Sequence, residues 1–211
     1  MRRLIAAVCC CVAATATATA HAQERGAARL HALVEGLTVT PRVLVIGAHP
    51  EDDDPQLVTW LARGHNVQTA YLSLTRGESG QNFAGAETGR ALGVVRTQEM
   101  LAARRIDGGE LYFTRAIDFG ISKNAEDTFK HWPRHLILGD VVTIIRSFRP
   151  HVIVAVGTEG RSDGNGQHDA LGVLAKEAFY AAGDTTLVPA SGVLGRPWKP
   201  LKLYRHGRGI E

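Results

Sequence analysis

The chain has 211 residues, 45% of them hydrophobic and 21% charged, the profile of an ordinary folded domain with apolar side chains enough for one core. Its 24 Lys and Arg outnumber 21 Asp and Glu, but two of the basic residues, Arg2 and Arg3, fall in a leading segment, so the remainder is close to neutral. No Lys/Arg-rich block or aromatic-basic interleaving follows, which excludes the electrostatic footprint of a nucleic-acid binder.

Arg2 and Arg3 precede an apolar run from Leu4 to Ala14, and small residues then lead to Ala20-His21-Ala22. That order reads as a secretory signal peptide over residues 1–22, cleaved after Ala22, with the mature protein secreted or periplasmic. A membrane span needs about 20 apolar residues, and this run fades into alternating Thr and Ala well before that. Stable membrane insertion after cleavage is therefore not expected. Cys9, Cys10 and Cys11 all lie in the signal, so the mature chain has no thiolate for a disulfide or a metal, and any metal must be held by His, Asp or Glu.

Residues 23–41 read as a lead-in, with helical apolar spacing at Leu30, Leu33, Val34 and Leu37. The remainder, 42–211, reads as one domain. Arg42 to Gly47 is a short, mostly β-branched strand, followed by helical spacing at Leu57, Val58 and Leu61. A strand at Val67 to Leu74, a helix at Leu92 to Ile106, a strand at Leu111 to Thr114, a helix around His135 to Phe148 and a strand at Val152 to Val156 continue the alternation. A helix from Ala170 to Ala182 and a last strand at Leu201 to Tyr204 complete it. This predicts an α/β, Rossmann-like, mostly parallel sheet flanked by helices. The chain stops soon after the last strand, which leaves open a continuation beyond Glu211.

Open parallel sheets bind ligands at the carboxyl ends of their strands, which directs attention to two loops. The first reads Gly47-Ala48-His49-Pro50-Glu51-Asp52-Asp53-Asp54, an imidazole and four consecutive carboxylates. Crowded carboxylates raise one another's pKa unless a cation neutralises them, although acidic residues also favour a helix N-terminus. The second loop, Gly157 to Asp169, is glycine-rich and delivers His168 to the next helix. If the two strands are neighbours, two imidazoles and at least one carboxylate surround one point, a set that suits zinc with an open fourth position.

These residues resemble the PIG-L/LmbE family of zinc-dependent deacetylases, whose first motif is His-Pro-Asp-Asp-Glu and whose second ends in His-x-x-His. The resemblance extends to Thr75-Arg76-Gly77-Glu78, to the Leu92-Gly93 to Arg96 and Glu99 helix, and to Ile117-Asp118-Phe119-Gly120. It implies that His49, Asp52 and His168 bind Zn2+, that Glu51 is the general base, and that Arg96 and Asp118 contact substrate, an N-acetylated sugar or glycoconjugate. Arg96 alternatively forms a helix-face ion pair with Glu99. Asp118 alternatively caps a turn, and Asp53 and Asp163 are expected behind the ligands.

The chain departs from the family pattern twice. Glu51 stands where the common motif has Asp, with Asp53 where it has Glu, and Asn165 replaces the first His of the second motif. In relatives that His helps stabilise the oxyanion, and Asn165 can still donate a neutral hydrogen bond there. These departures motivate a second expectation, a metal-binding carbohydrate-binding domain with weak catalysis. A nucleotide-binding Rossmann domain is disfavoured, because His-Pro-Glu-Asp occupies the position of its phosphate loop. His65, His131, His135 and His151 fall away from both loops and read as structural.

Overall fold

The computed structural model describes residues 26–157, 165–189 and 195–206. Two compact units are distinguished, residues 1–40 and 41–211. In the first, α1 (Ala27–Gly36) buries none of its residues. The signal peptide expected at 1–22 and the candidate Asp163 lie outside the described residues. No helix among the described residues is long and apolar enough to cross a membrane.

In the second unit the elements run β1 (Arg42–Gly47), a 3-10 turn (Pro50–Asp52), α2 (Pro55–Thr59) continued by a π-helical turn (Trp60–Gly64), β2 (Gln68–Ser73), α3 (Gly89–Asp107) and β3 (Glu110–Phe113). They continue through α4 (Ala125–His131), α5 (Arg134–Phe148), β4 (Val152–Ala155), α6 (Gly166–Ala181) and β5 (Lys202–Arg205). Among the described residues the four strand pairings are parallel, in the order β3-β2-β1-β4-β5. The expected α/β architecture is thus present.

Alternation along β1 explains why helices cover both faces. Leu44 and Ile46 point into a core with Val141, Val142 and Ile145 of α5 and Leu171 and Leu174 of α6. Val43 and Val45 point the other way, onto Val58 of α2, Met100 of α3 and Tyr71 of β2. A strand buried on both faces reads as a continuous apolar run, which is why β1 was recognisable.

Element bounds shift by up to three residues in several places, as α3 starting at Gly89 instead of Leu92, and two elements differ more. α4 was not expected, because Ala125 and Phe129 alone make no clear apolar stripe; its start is fixed by the Asn124 side chain, which accepts from Asp127 N. α6 begins at Gly166 rather than Ala170, placing His168 inside its first turn. Gly166 permits that start, because a Cβ there would collide with the backbone of Asn124.

The far end of α6 is fixed by Arg146 of α5, which is buried. Its guanidinium donates to the carbonyls of Ala182 (3.0 Å), Ala181 (3.2 Å), Val188 (2.7 Å), Asp184 (3.3 Å) and Pro189 (3.2 Å). Carbonyls left over at a helix C-terminus carry partial negative charge, so this buried cation is solvated by backbone instead of by a carboxylate.

Candidate metal centre

The order β3-β2-β1-β4-β5 reverses direction of travel between β1 and β4, which pair in register from Val43↔Val152 to Ile46↔Ala155. At such a switch point the two outgoing loops part and leave a crevice. The first of these loops carries His49; the connection after β4 leads to His168.

β1 ends with Gly47, and the chain turns at once into the 3-10 segment Pro50–Asp52. Asp52 folds back so that its Oδ2 accepts from both Ala48 N and His49 N, each at 2.8 Å. Its Oδ2 lies 3.5 Å from His49 Nδ1 and its Oδ1 lies 3.2 Å from His168 Nε2. The two rings stand 5.3 Å apart between centroids. One carboxylate therefore spans an imidazole that follows β1 and another in the first turn of α6.

Electrostatics follow from this arrangement. Burial alone would raise the Asp52 pKa, but His168 and His49 outweigh it and hold the carboxyl well below the usual range. Burial alone would lower the pKa of His49, yet Asp52, with smaller contributions from Asp118 and Glu51, raises it. Beneath them the fully buried Tyr71 donates its hydroxyl to the His49 carbonyl at 2.5 Å. Burial and the neighbouring Asp52 push that phenol's pKa well up, so it remains a donor.

His49, Asp52 and His168 thus offer three ligand atoms within 4.8 Å of one another. Tetrahedral zinc with bonds of about 2.0–2.2 Å places ligand atoms about 3.3–3.6 Å apart; Asp52 Oδ2 lies within that span of His49 Nδ1, at 3.5 Å, and Asp52 Oδ1 falls just short of it from His168 Nε2, at 3.2 Å, so a small adjustment admits the ion. The donor types, two imidazoles and a carboxylate, are also those zinc accepts, and with three protein ligands a fourth position is open.

The remaining candidates divide. Glu51, half exposed, receives Arg96 Nη1 at 2.6 Å, while Arg96 Nη2 donates to Gln81 O at 3.0 Å. Arg96 is therefore paired with the candidate base rather than with Glu99. Asp53 turns to α3 and pairs with Arg104 Nη2 at 2.6 Å, as does Asp107 at 2.6 Å. That places Asp53 in a triad with Arg104 and Asp107; burial raises its pKa against the pull of Arg104. Asn165 is the N-cap of α6, its Oδ1 accepting from Gln167 N at 3.0 Å.

Asp118 is buried, and its carboxylate accepts from Ser79 N (3.2 Å), Gly120 N (3.0 Å) and the Gln167 side chain (2.9 Å). It is tied to the metal centre through Gln167, whose Oε1 lies 3.2 Å from His49 Nε2. Gln167 escaped the sequence reading because, inside a glycine-rich stretch, it looks like loop filler. The signal that could have found it was an earlier start for α6, which puts it in a buried first turn. Of the four histidines expected to be structural, three make packing or backbone contacts: His151 Nδ1 accepts from Arg42 N at 3.1 Å, His131 stacks on Phe119 at 4.2 Å, and His65 packs edge-on against Trp60; His135 is exposed.

Comparison with known proteins shows the family and the fold. A mycothiol S-conjugate amidase from Streptomyces coelicolor is 28% identical over 77% of this chain and 59% of its own. A 1D-myo-inositol 2-acetamido-2-deoxy-alpha-D-glucopyranoside deacetylase from Mycobacterium leprae is 29% identical over 80% of this chain and 60% of its own. The chain thus spans about 60% of the length of these relatives. The crystal structure of 4-carboxy-2-hydroxymuconate hydratase from Pseudomonas putida superposes with a TM-score of 0.56 at 21% identity, covering 75% of this chain and 63% of that one, and shows the same fold. Residues 44–179, which include every described residue of the metal centre, match the GlcNAc-PI de-N-acetylase family, PIG-L. The chain belongs to that family.

Proposed function

We propose that this protein hydrolyses the acetamido group of an N-acetylglucosamine-type sugar or glycoconjugate, with zinc held by His49, Asp52 and His168. The observation that carries the reading is Asp52 reaching both histidines across the β1/β4 switch point. Family membership and the amidase and deacetylase relatives support it.

An amide carbonyl is a poor electrophile; zinc held by His49, Asp52 and His168 would supply a Lewis acid for it and for the water that attacks it. Glu51, next in sequence to the ligand Asp52, accepts the proton that water loses and returns it to the departing amine. The oxygen of water joins the acyl carbon, the C–N bond breaks, and acetate and the free amino sugar result. Arg96, bonded to Glu51 Oε2, fixes the direction of that carboxylate. Asn165, at the mouth of α6, is the residue assigned to the developing oxyanion.

We further propose export with cleavage after Ala22, supported by the order of basic, apolar and small residues at 2–22. N-terminal sequencing of the protein recovered from its native host tests this.

The enzymatic reading is tested by metal analysis coupled to release of acetate from N-acetylglucosamine derivatives. About one zinc per chain is expected, with turnover removed by Glu51→Gln while zinc remains. A purified protein with neither metal nor hydrolysis overturns it.

A further inference from the structure

We infer that Gln167 is a positioning residue that keeps a proton on Nε2 of His49, so that Nδ1 is the nitrogen the ring presents to a cation. Only the last clause rests on the metal reading above.

A glutamine amide has one end that donates and one that accepts. Here the donor end is identified by its surroundings: Nε2 lies 2.9 Å from Asp118 Oδ1 and 2.6 Å from Gly120 O, two oxygens that accept. The reverse orientation would press oxygen against both in a site where Gln167 is 1% exposed, an expensive arrangement for buried polar atoms. Asp118 is itself held by the backbone N–H groups of Ser79 and Gly120, so it acts as an acceptor towards Gln167. Gln167 Oε1 must therefore face His49 Nε2, at 3.2 Å. A carbonyl oxygen only accepts, so the ring donates from Nε2.

On the opposite edge of the ring, Nδ1 is the atom beside Asp52. A histidine's free nitrogen is set by the hydrogen bond its other nitrogen makes. The relay from Ser79 and Gly120 through Asp118 and Gln167 thus chooses which nitrogen of His49 is available. Glutamine performs this without placing another negative charge beside Asp52.

The test uses the whole purified protein labelled with 15N histidine. In both metal-free and zinc-loaded wild type, His49 Nε2 is expected to carry a slowly exchanging proton. Gln167→Met, similar in length but unable to accept or donate as the amide does, should lose that slow exchange and weaken zinc binding about 10- to 100-fold in chelator competition. A bare Nε2 in the wild type, or a variant that keeps both the protected proton and the zinc affinity, overturns the proposal; the wild-type measurement stands whether or not the variant folds. A protected Nε2 proton in a protein that binds no zinc would sustain the role of Gln167 and sink the hydrolase reading. Zinc bound through Nε2 would do the reverse.

Discussion

Gly47 and Tyr71 occupy space that leaves no room for a side chain between them: a Cβ on Gly47 would run into the Tyr71 hydroxyl, and would come within 2.8 Å of the Asp52 Cβ. The hydroxyl is there because it supports the His49 carbonyl. Gly47→Ala is expected to destabilise the protein by about 1–3 kcal/mol, as overpacking does. The same change in a Tyr71→Phe background should cost less, since the obstructing oxygen is gone. Urea denaturation of the four proteins measures the coupling, expected at about 0.5–3 kcal/mol for touching residues; strictly additive effects would contradict this account.

Arg104 holds Asp53 and Asp107 together, with Arg104 and Asp107 almost wholly buried. Arg104→Met leaves two carboxylates facing each other without their cation. Removing one partner from a buried ionic group costs about 3–5 kcal/mol, and a loss in that range is expected by chemical denaturation. Arg115, whose pair with Asp140 is much more exposed, should by contrast be replaceable by Ala for under about 1 kcal/mol.

Asp118 gives an acid-dependent stability of predictable sign. Burial alone would raise its pKa, but Ser79, Gln167 and the Gly120 N–H outweigh burial and hold it below the ordinary 3.8. A carboxyl depressed in the folded state binds its proton more readily when unfolded, so its contribution is complete above pH 3.8 and lost as pH falls through the folded-state value. Asp118→Asn should flatten the acid limb of the stability profile relative to wild type; an unchanged limb would count against it.

Asn165 serves the helix and, in the proposed reaction, the oxyanion. Asn165→His should raise kcat/KM on an N-acetylglucosamine derivative if the imidazole is the stronger donor. The loss of the cap to Gln167 N should simultaneously cost about 0.5–2 kcal/mol of stability. Zinc and sugar binding without turnover in the wild type, with turnover appearing in this variant, would instead favour a carbohydrate-binding domain.

Much of this site could be read before any coordinates, because its parts are local. β1 and β4 are compact apolar runs, and the loops behind them carry His49, Asp52 and His168 within a few residues of a strand end or helix start. What local spacing cannot supply is the partner of a long side chain. For Arg96 the family resemblance offers a substrate contact and local spacing offers, as the alternative, Glu99 on its own helix, whereas its carboxylate partner lies 45 positions away on Glu51. Asp53 looked like part of the ligand cluster because it adjoins Asp52 in sequence, yet successive residues of the 3-10 turn diverge and it points at α3. Gln167 reveals itself only through burial, since its three neighbours come from residues 49, 118 and 120.

Helix α6 is held at both ends, and His168 rides on it. Asn165 secures one end of the helix and the Arg146 guanidinium gathers the carbonyls at the other. His168 therefore takes its place from anchors in α6 itself and in α5. Loosening the Arg146 end, by Arg146→Met, is therefore expected to disturb the register of His168 with Asp52 although Arg146 touches neither residue.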